Sequence, residues 1–144
     1  MINDLVVGIS RKLGELFDYS IYSEDVSQEL TPPCFYVRLL QPMLKQYMGL
    51  RFYITGSFDI QFFPEQNGTE QSQCQAVADR LILEMSYITV TIDDMDLTCR
   101  GKGISLEIVD GVLHFFVQYS LKMRKEVAGN EIMENLTHLN LIKE

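Results

Sequence analysis

The clearest pattern along the chain is an alternation. After Asp110-Gly111, Leu113, Phe115, Val117, Tyr119, Leu121 and Met123 fall on one set of positions. His114, Phe116, Gln118, Ser120, Lys122 and Arg124 fall on the other. A period of two predicts a strand with one face on a core and one mostly wet. Asp-Gly supplies the positive φ angles of a tight hairpin turn. The pattern therefore predicts a long hairpin over Gly103 to Lys125, part of it projecting from the domain or pairing with a neighbouring subunit.

Upstream, Ile2, Leu5, Val6, Ile9, Leu13, Leu16 and Phe17 follow a three/four spacing, which predicts an amphipathic helix. Gly8 and Gly14 weaken it, so packing must hold it. Tyr19 to Ser23 reads as a short strand. Cys34 to Leu40 reads as a strand inside a sheet, with Pro42 ending or kinking it and Met43 to Tyr47 resuming at an edge. Leu50 to Phe63 is a second long strand, in which Gly56 marks a bend or a close backbone approach. Cys74, Val77, Ala78, Leu81, Ile82 and Met85 give a second helix, from about Thr69 to Ser86. Tyr87 to Ile92 is β-branched and strand-like. Asp93 to Asp96 reads as a turn, and Gly101-Lys102-Gly103 as a bulge or loop.

The order α-β-β-β-α-β-β-β predicts an α+β fold: a mainly antiparallel sheet with long hairpins and two helices on one face. One domain over residues 1–127 is expected. Residues 128–144 form a tail, in which Ile132, Met133, Leu136, Leu139 and Ile142 carry a helical period suited to docking on a partner.

Composition changes this picture little. The chain has 144 residues and is 47% hydrophobic, enough for a real core. No apolar run reaches the length of a membrane span, and the start lacks the pattern of a signal peptide. Cys34, Cys74 and Cys99 are far apart and odd in number, which suggests a reducing compartment. The formal charge of −8 argues against a protein that grips nucleic acid by its phosphates.

Candidate chemistry is sparse. Asp93, Asp94 and Asp96 lack the further ligands of a calcium loop and read as a solvated turn. His114 and His138 have no readable nucleophile partner, and the cysteines read as small buried hydrophobes. Gly101-x-Gly103 falls between strands and is no phosphate loop. No catalytic residue, metal or cofactor is expected. The basic residues Arg38, Arg51, Lys122, Arg124 and Lys125 look scattered, although Arg38 and Arg51 lie on adjacent strands. Phe63 and Phe116 sit on the faces expected to be wetter, where aromatics mark interfaces unless a helix covers them.

Three stretches, CFYVRLL at 34–40, SFDIQFFP at 57–64 and EIVDGVLHFFVQYSL at 107–121, follow a helix beginning MINDL. Together they resemble a family of small phage and prophage tail terminator proteins from Gram-positive bacteria, over about residues 1–125. The resemblance implies a subunit of a ring, usually hexameric, that caps the tail tube, stops its growth and presents the surface for joining the head connector. Its implied partners are other copies of itself, the tube protein and the head–tail connector protein. DNA would pass through the channel without specific binding, and no membrane is involved. Assembly would take place in host cytoplasm, and the product would lie in the virion tail or neck.

The expected contact surfaces are the distal parts of the long hairpins, Met43 to Tyr53 and Tyr119 to Lys125. The expected interface residues are Arg38, Tyr47, Arg51, Tyr53, Phe63, Phe116, Tyr119 and Arg124. Competing readings are another neck or head-completion protein, a small ligand-binding or regulatory module with a closed cavity, and an enzyme with a non-local site.

Overall fold

A computed structural model describes residues 2–23, 30–125 and 139–141. Its elements are α1 (Ile2–Leu16), β1 (Ser20–Tyr22), β2 (Cys34–Met48), β3 (Arg51–Phe63), α2 (Glu70–Glu84), β4 (Tyr87–Ile92), β5 (Met95–Val109), β6 (Val112–Lys125) and β7 (Leu139–Leu141). The expected α+β class and element order hold.

The strands lie in the order β1-β2-β3-β6-β5-β4, with β7 pairing with β6. Among the described residues only β1 and β2 run parallel. The central register sets Val37, Ile60 and Phe115 side by side, and Phe58 beside Val117. Because the side-chain period is two, this places Phe35, Val37, Ile54, Phe58, Ile60, Phe62, Leu113, Phe115, Val117, Tyr119 and Leu121 on one face, all buried. Both helices pack on that face. α1 contributes Leu5, Ile9 and Leu13, and α2 contributes Cys74, Val77 and Leu81.

The sheet also curls. β4 and the start of β5 bring Ile88, Val90, Leu97 and Cys99 into the same core. α1 is thus held between the main sheet and β4. A Cβ at Gly8 would lie 2.9 Å from the Thr89 carbonyl oxygen and 3.0 Å from Val90 Cγ2, so glycine there lets helix and strand meet. Gly56 is likewise a close approach, since a Cβ would meet the Phe58 ring at 2.7 Å.

One expectation is resolved and one corrected. Of the two outcomes expected at Pro42, ending or kinking its strand, the first does not occur, and the stretch after it runs at an edge as expected. β2 continues to Met48 through a register break between Leu39 and Gln41, and Pro42 stands opposite Gly56. The reason is position: β1 pairs only as far as Tyr36, so from there β2 is an edge, where a missing N–H costs no ladder bond. In the tail, Leu139–Leu141 is a strand rather than part of a helix. The remainder of that expected helix lies outside the described residues. Gly101–Gly103 is the expected bulge, with a register shift between Lys102 and Ser105.

Candidate assembly interface

Three features of the subunit stand out from the residues upward: an uncovered sheet face, a cationic arm and two open sheet edges.

Among the described residues no helix covers the second face of the sheet. On it, register aligns Tyr36, Gln61, His114 and Glu107 in one row, and Arg38, Asp59, Phe116 and Ser105 in the next. Asp59 is only 3% exposed there. Its carboxylate accepts from His114 Nδ1 at 2.9 Å and from Gln61 Nε2 at 2.9 Å. A carboxylate has only acceptors, so His114 carries its proton on Nδ1. Two donors thus compensate a carboxylate that neighbours desolvate. The His114 ring stacks on Phe116, with centroids 6.1 Å apart and planes 13° apart. Farther along, Thr55 Oγ1 and Ser120 Oγ share a 2.8 Å bond, and Lys122 Nζ lies 5.7 Å from the centroid of the Tyr53 ring.

The arm comprises the β2–β3 hairpin beyond Pro42 and the adjoining end of β6. Lys45 stands opposite Tyr53, Tyr53 opposite Lys122, and Arg51 opposite Arg124. The sequence has no Asp or Glu from Leu30 to Phe58, nor from Gly111 to Lys125. Of the basic residues that look scattered along the chain, Arg51, Lys122, Arg124 and Lys125 are therefore gathered with Lys45 on one acid-free arm, while Arg38 stands apart, opposite Asp59. The acidic residues lie elsewhere, with Glu107 exposed on β5, Asp110 in the β5–β6 turn, and Asp93 and Asp94 in the β4–β5 turn.

The two turn aspartates Asp93 and Asp94 have φ of 49° and 63°, and Asp96 accepts from Thr91 Oγ1 at 2.6 Å. They serve the turn. Among the described residues no group of three or more His, Cys, Asp or Glu is placed to hold a metal ion.

The expected interface residues separate accordingly. Arg38 and Arg51 are exposed, but they do not face each other: Arg38 stands opposite Asp59, and Arg51 opposite Met48. Tyr53, Phe63 and Phe116 are half-buried on the sheet. Tyr47 lies at a register break between Gln46 and Met48, and Arg124 pairs in register with Arg51 and Asn140. Tyr119 is corrected. It is fully buried in the subunit, and its hydroxyl donates to the Met85 carbonyl at 2.6 Å. The helix α2 covers this part of β6, which places the Tyr119 side chain in the core and not on a contact surface. Burial pushes its phenol well above the ordinary range, with the Cys99 thiol adding to the shift.

What the sequence reading missed is the Asp59–His114 pair and the charge asymmetry. Asp59 is the first acid after the long acid-free stretch, and this was the available signal.

A protein-family model described as phage tail terminator protein matches residues 4–131. No curated protein matches the sequence.

Proposed function

Because this chain belongs to the phage tail terminator family, we propose that it assembles as a closed ring, with six copies as the expected number, on the last ring of the tail tube. It is a structural protein of the phage tail, and its place is the virion tail or neck. In the proposed role the ring ends tube polymerisation and offers its far side to the head–tail connector. Assembly takes place in host cytoplasm, and DNA passes through the channel without being read.

The observation that best supports ring assembly is the acid-free cationic arm on a chain of net charge −8. A subunit with separated charge is complementary to a copy of itself placed head to tail. Head-to-tail contacts of that kind are heterologous and close into rings when the rotation allows. The uncovered face, with Phe116 and Tyr53 half-buried, adds amphipathic aromatics of the sort enriched at interfaces.

The experiment is a deletion. Phage lacking this protein should build tails of uncontrolled length that fail to join heads, and purified protein added to a growing tube should restore a stop. Tails of normal length in the deletion would refute the proposal.

A further inference from the structure

The sheet has two open edges. On one side, β1 covers β2 only as far as Tyr36. On the other, β4 covers β5 only as far as Arg100. Among the described residues no strand pairs with the outer side of 39–48 or of 103–109. Free edges of this length invite pairing with another chain.

The two edges match each other. Counting from the two-residue turn at Asp110-Gly111, Val109 and Val112 form a hydrogen-bonded pair, so the peptide groups of Leu106 and Ile108 point outward. On β2 the register break at Tyr47 shifts the count from Gly49-Leu50 by one, so that Leu44 and Gln46, opposite Ile54 and Phe52, turn outward. It also turns Pro42 outward, where its missing N–H is tolerated. Ile104, Leu106 and Ile108 on β5, and Leu39 and Leu44 on β2, are apolar and exposed, Leu44 by 67%. By register Leu106 and Ile108 lie beside Phe115 and Leu113, and Leu39 and Leu44 beside Phe58 and Ile54. Both rows therefore extend the same apolar face.

Direction and charge agree. β2, β3, β6 and β5 alternate in direction, so β2 and β5 run oppositely. A copy rotated about an axis along the strands would lay its β2 antiparallel beside β5, apolar face continuing apolar face. The polar face would then bring Lys45 and Arg38 towards Glu107 and the Asp110 turn, with Lys102 beyond the bulge as the one base on that edge. The β5 edge lies level with the first half of β6 and the β2 edge with its second half. A tilted sheet closing on itself needs such a stagger.

Resting on the ring reading above, we propose that the junction between neighbouring subunits is an edge-to-edge strand pairing, the β2 edge of one copy against the β5 edge of the next. Pro42 and Lys45 keep the edge from pairing with arbitrary strands. A solvent-facing guard alone would not need the exposed Leu39, Leu40, Met43 and Leu44 beside them.

The test uses the full-length chain at increasing concentration. Lys45→Glu and Glu107→Lys should each weaken ring formation about fivefold per junction, while the double reversal restores it. Both residues are exposed, so unchanged circular dichroism and melting would confirm that the fold is kept. In a second arm, a Leu44→Cys/Leu106→Cys variant treated with a short bis-maleimide should give a ladder up to the closed ring, and neither single variant should. The native Cys34, Cys74 and Cys99 are buried and will not compete. Rings that ignore both reversals and yield no ladder would overturn the junction and leave the ring standing. A wild-type chain that forms no ring at any concentration would overturn the ring reading itself. Rings unaffected by Lys45→Glu, with loss of binding to a DNA duplex instead, would reassign the arm to DNA and overturn the junction.

Discussion

The two glycines of α1 should respond to the same substitution with opposite signs. In a helix interior, Gly→Ala stabilises by up to about 1 kcal/mol, through the entropy lost by the unfolded chain. At Gly14 nothing opposes that gain: the position is exposed and the nearest atom to a new Cβ, Ile21 Cδ1, is 3.8 Å away. Gly14→Ala should stabilise the fold by about 0.5–1 kcal/mol. At Gly8 the new Cβ would sit 2.9 Å from the Thr89 carbonyl oxygen and 3.0 Å from Val90 Cγ2. Thr89 is backbone in the middle of a paired strand, so it cannot swing aside as a long side chain could. Overpacking of this kind costs about 1–3 kcal/mol, which exceeds the helical gain. Gly8→Ala should destabilise by up to about 2.5 kcal/mol once the gain is subtracted. The assay is urea unfolding of both variants against wild type, reading the midpoint at constant m-value. Melting points should move about 2–4 °C per kcal/mol, in opposite directions. Equal stabilisation by both substitutions would refute the argument that α1 is clamped against β4.

Other consequences can be measured in the same way. Tyr119→Phe leaves the Met85 carbonyl without its buried donor and should cost about 1–2 kcal/mol in urea melts; a neutral result would mean that water replaces the hydroxyl. Asp59→Ala strips two donors of their acceptor and should cost about 1–3 kcal/mol. A double-mutant cycle with His114→Ala should then show clear coupling, and additive effects would deny the pair. Burial pushes the Cys99 thiol up to about 11. A thiol raised in the folded state stabilises fully below its unfolded value near 8.5, and that contribution is lost as pH rises towards 11. Stability should therefore decline over that alkaline window, less steeply in Cys99→Ala, and an identical slope in both would remove Cys99 from the account.

Much of the fold is legible because its signals are local. Alternation in β6 marks the very residues that are buried, and Asp110-Gly111 turns with φ of 51° and 78° as the dipeptide requires. The helical stripe of α1 names its buried residues Leu5, Ile9 and Leu13. What is not legible depends on register between distant segments. Asp59 and His114 are 55 residues apart in the chain, and nothing in either stretch announces the pair. The basic residues look scattered along the sequence, yet strand pairing brings Arg51 beside Arg124. Tyr119 shows the opposite limit. Its alternation class puts it on the core face, whereas the stretch Tyr119 to Lys125 is expected to be an exposed contact surface. The alternation gives the face, but how far along β6 the core extends depends on where the end of α2 and Met85 lie, which no local pattern states. Pro42 is read locally as an end or a kink, and the strand runs on past it because β1 stops at Tyr36 and leaves an edge.

The proposed function requires a ring at the end of the tail tube. The most direct measurement is electron microscopy of assembled tails in which this protein carries a visible label, with classification of the labelled end. Label should appear at one end only, the head-proximal one, in a closed ring of about six copies of the 16.6 kDa chain. Label spread along the tube, or tails of normal length with neither end labelled, would contradict it.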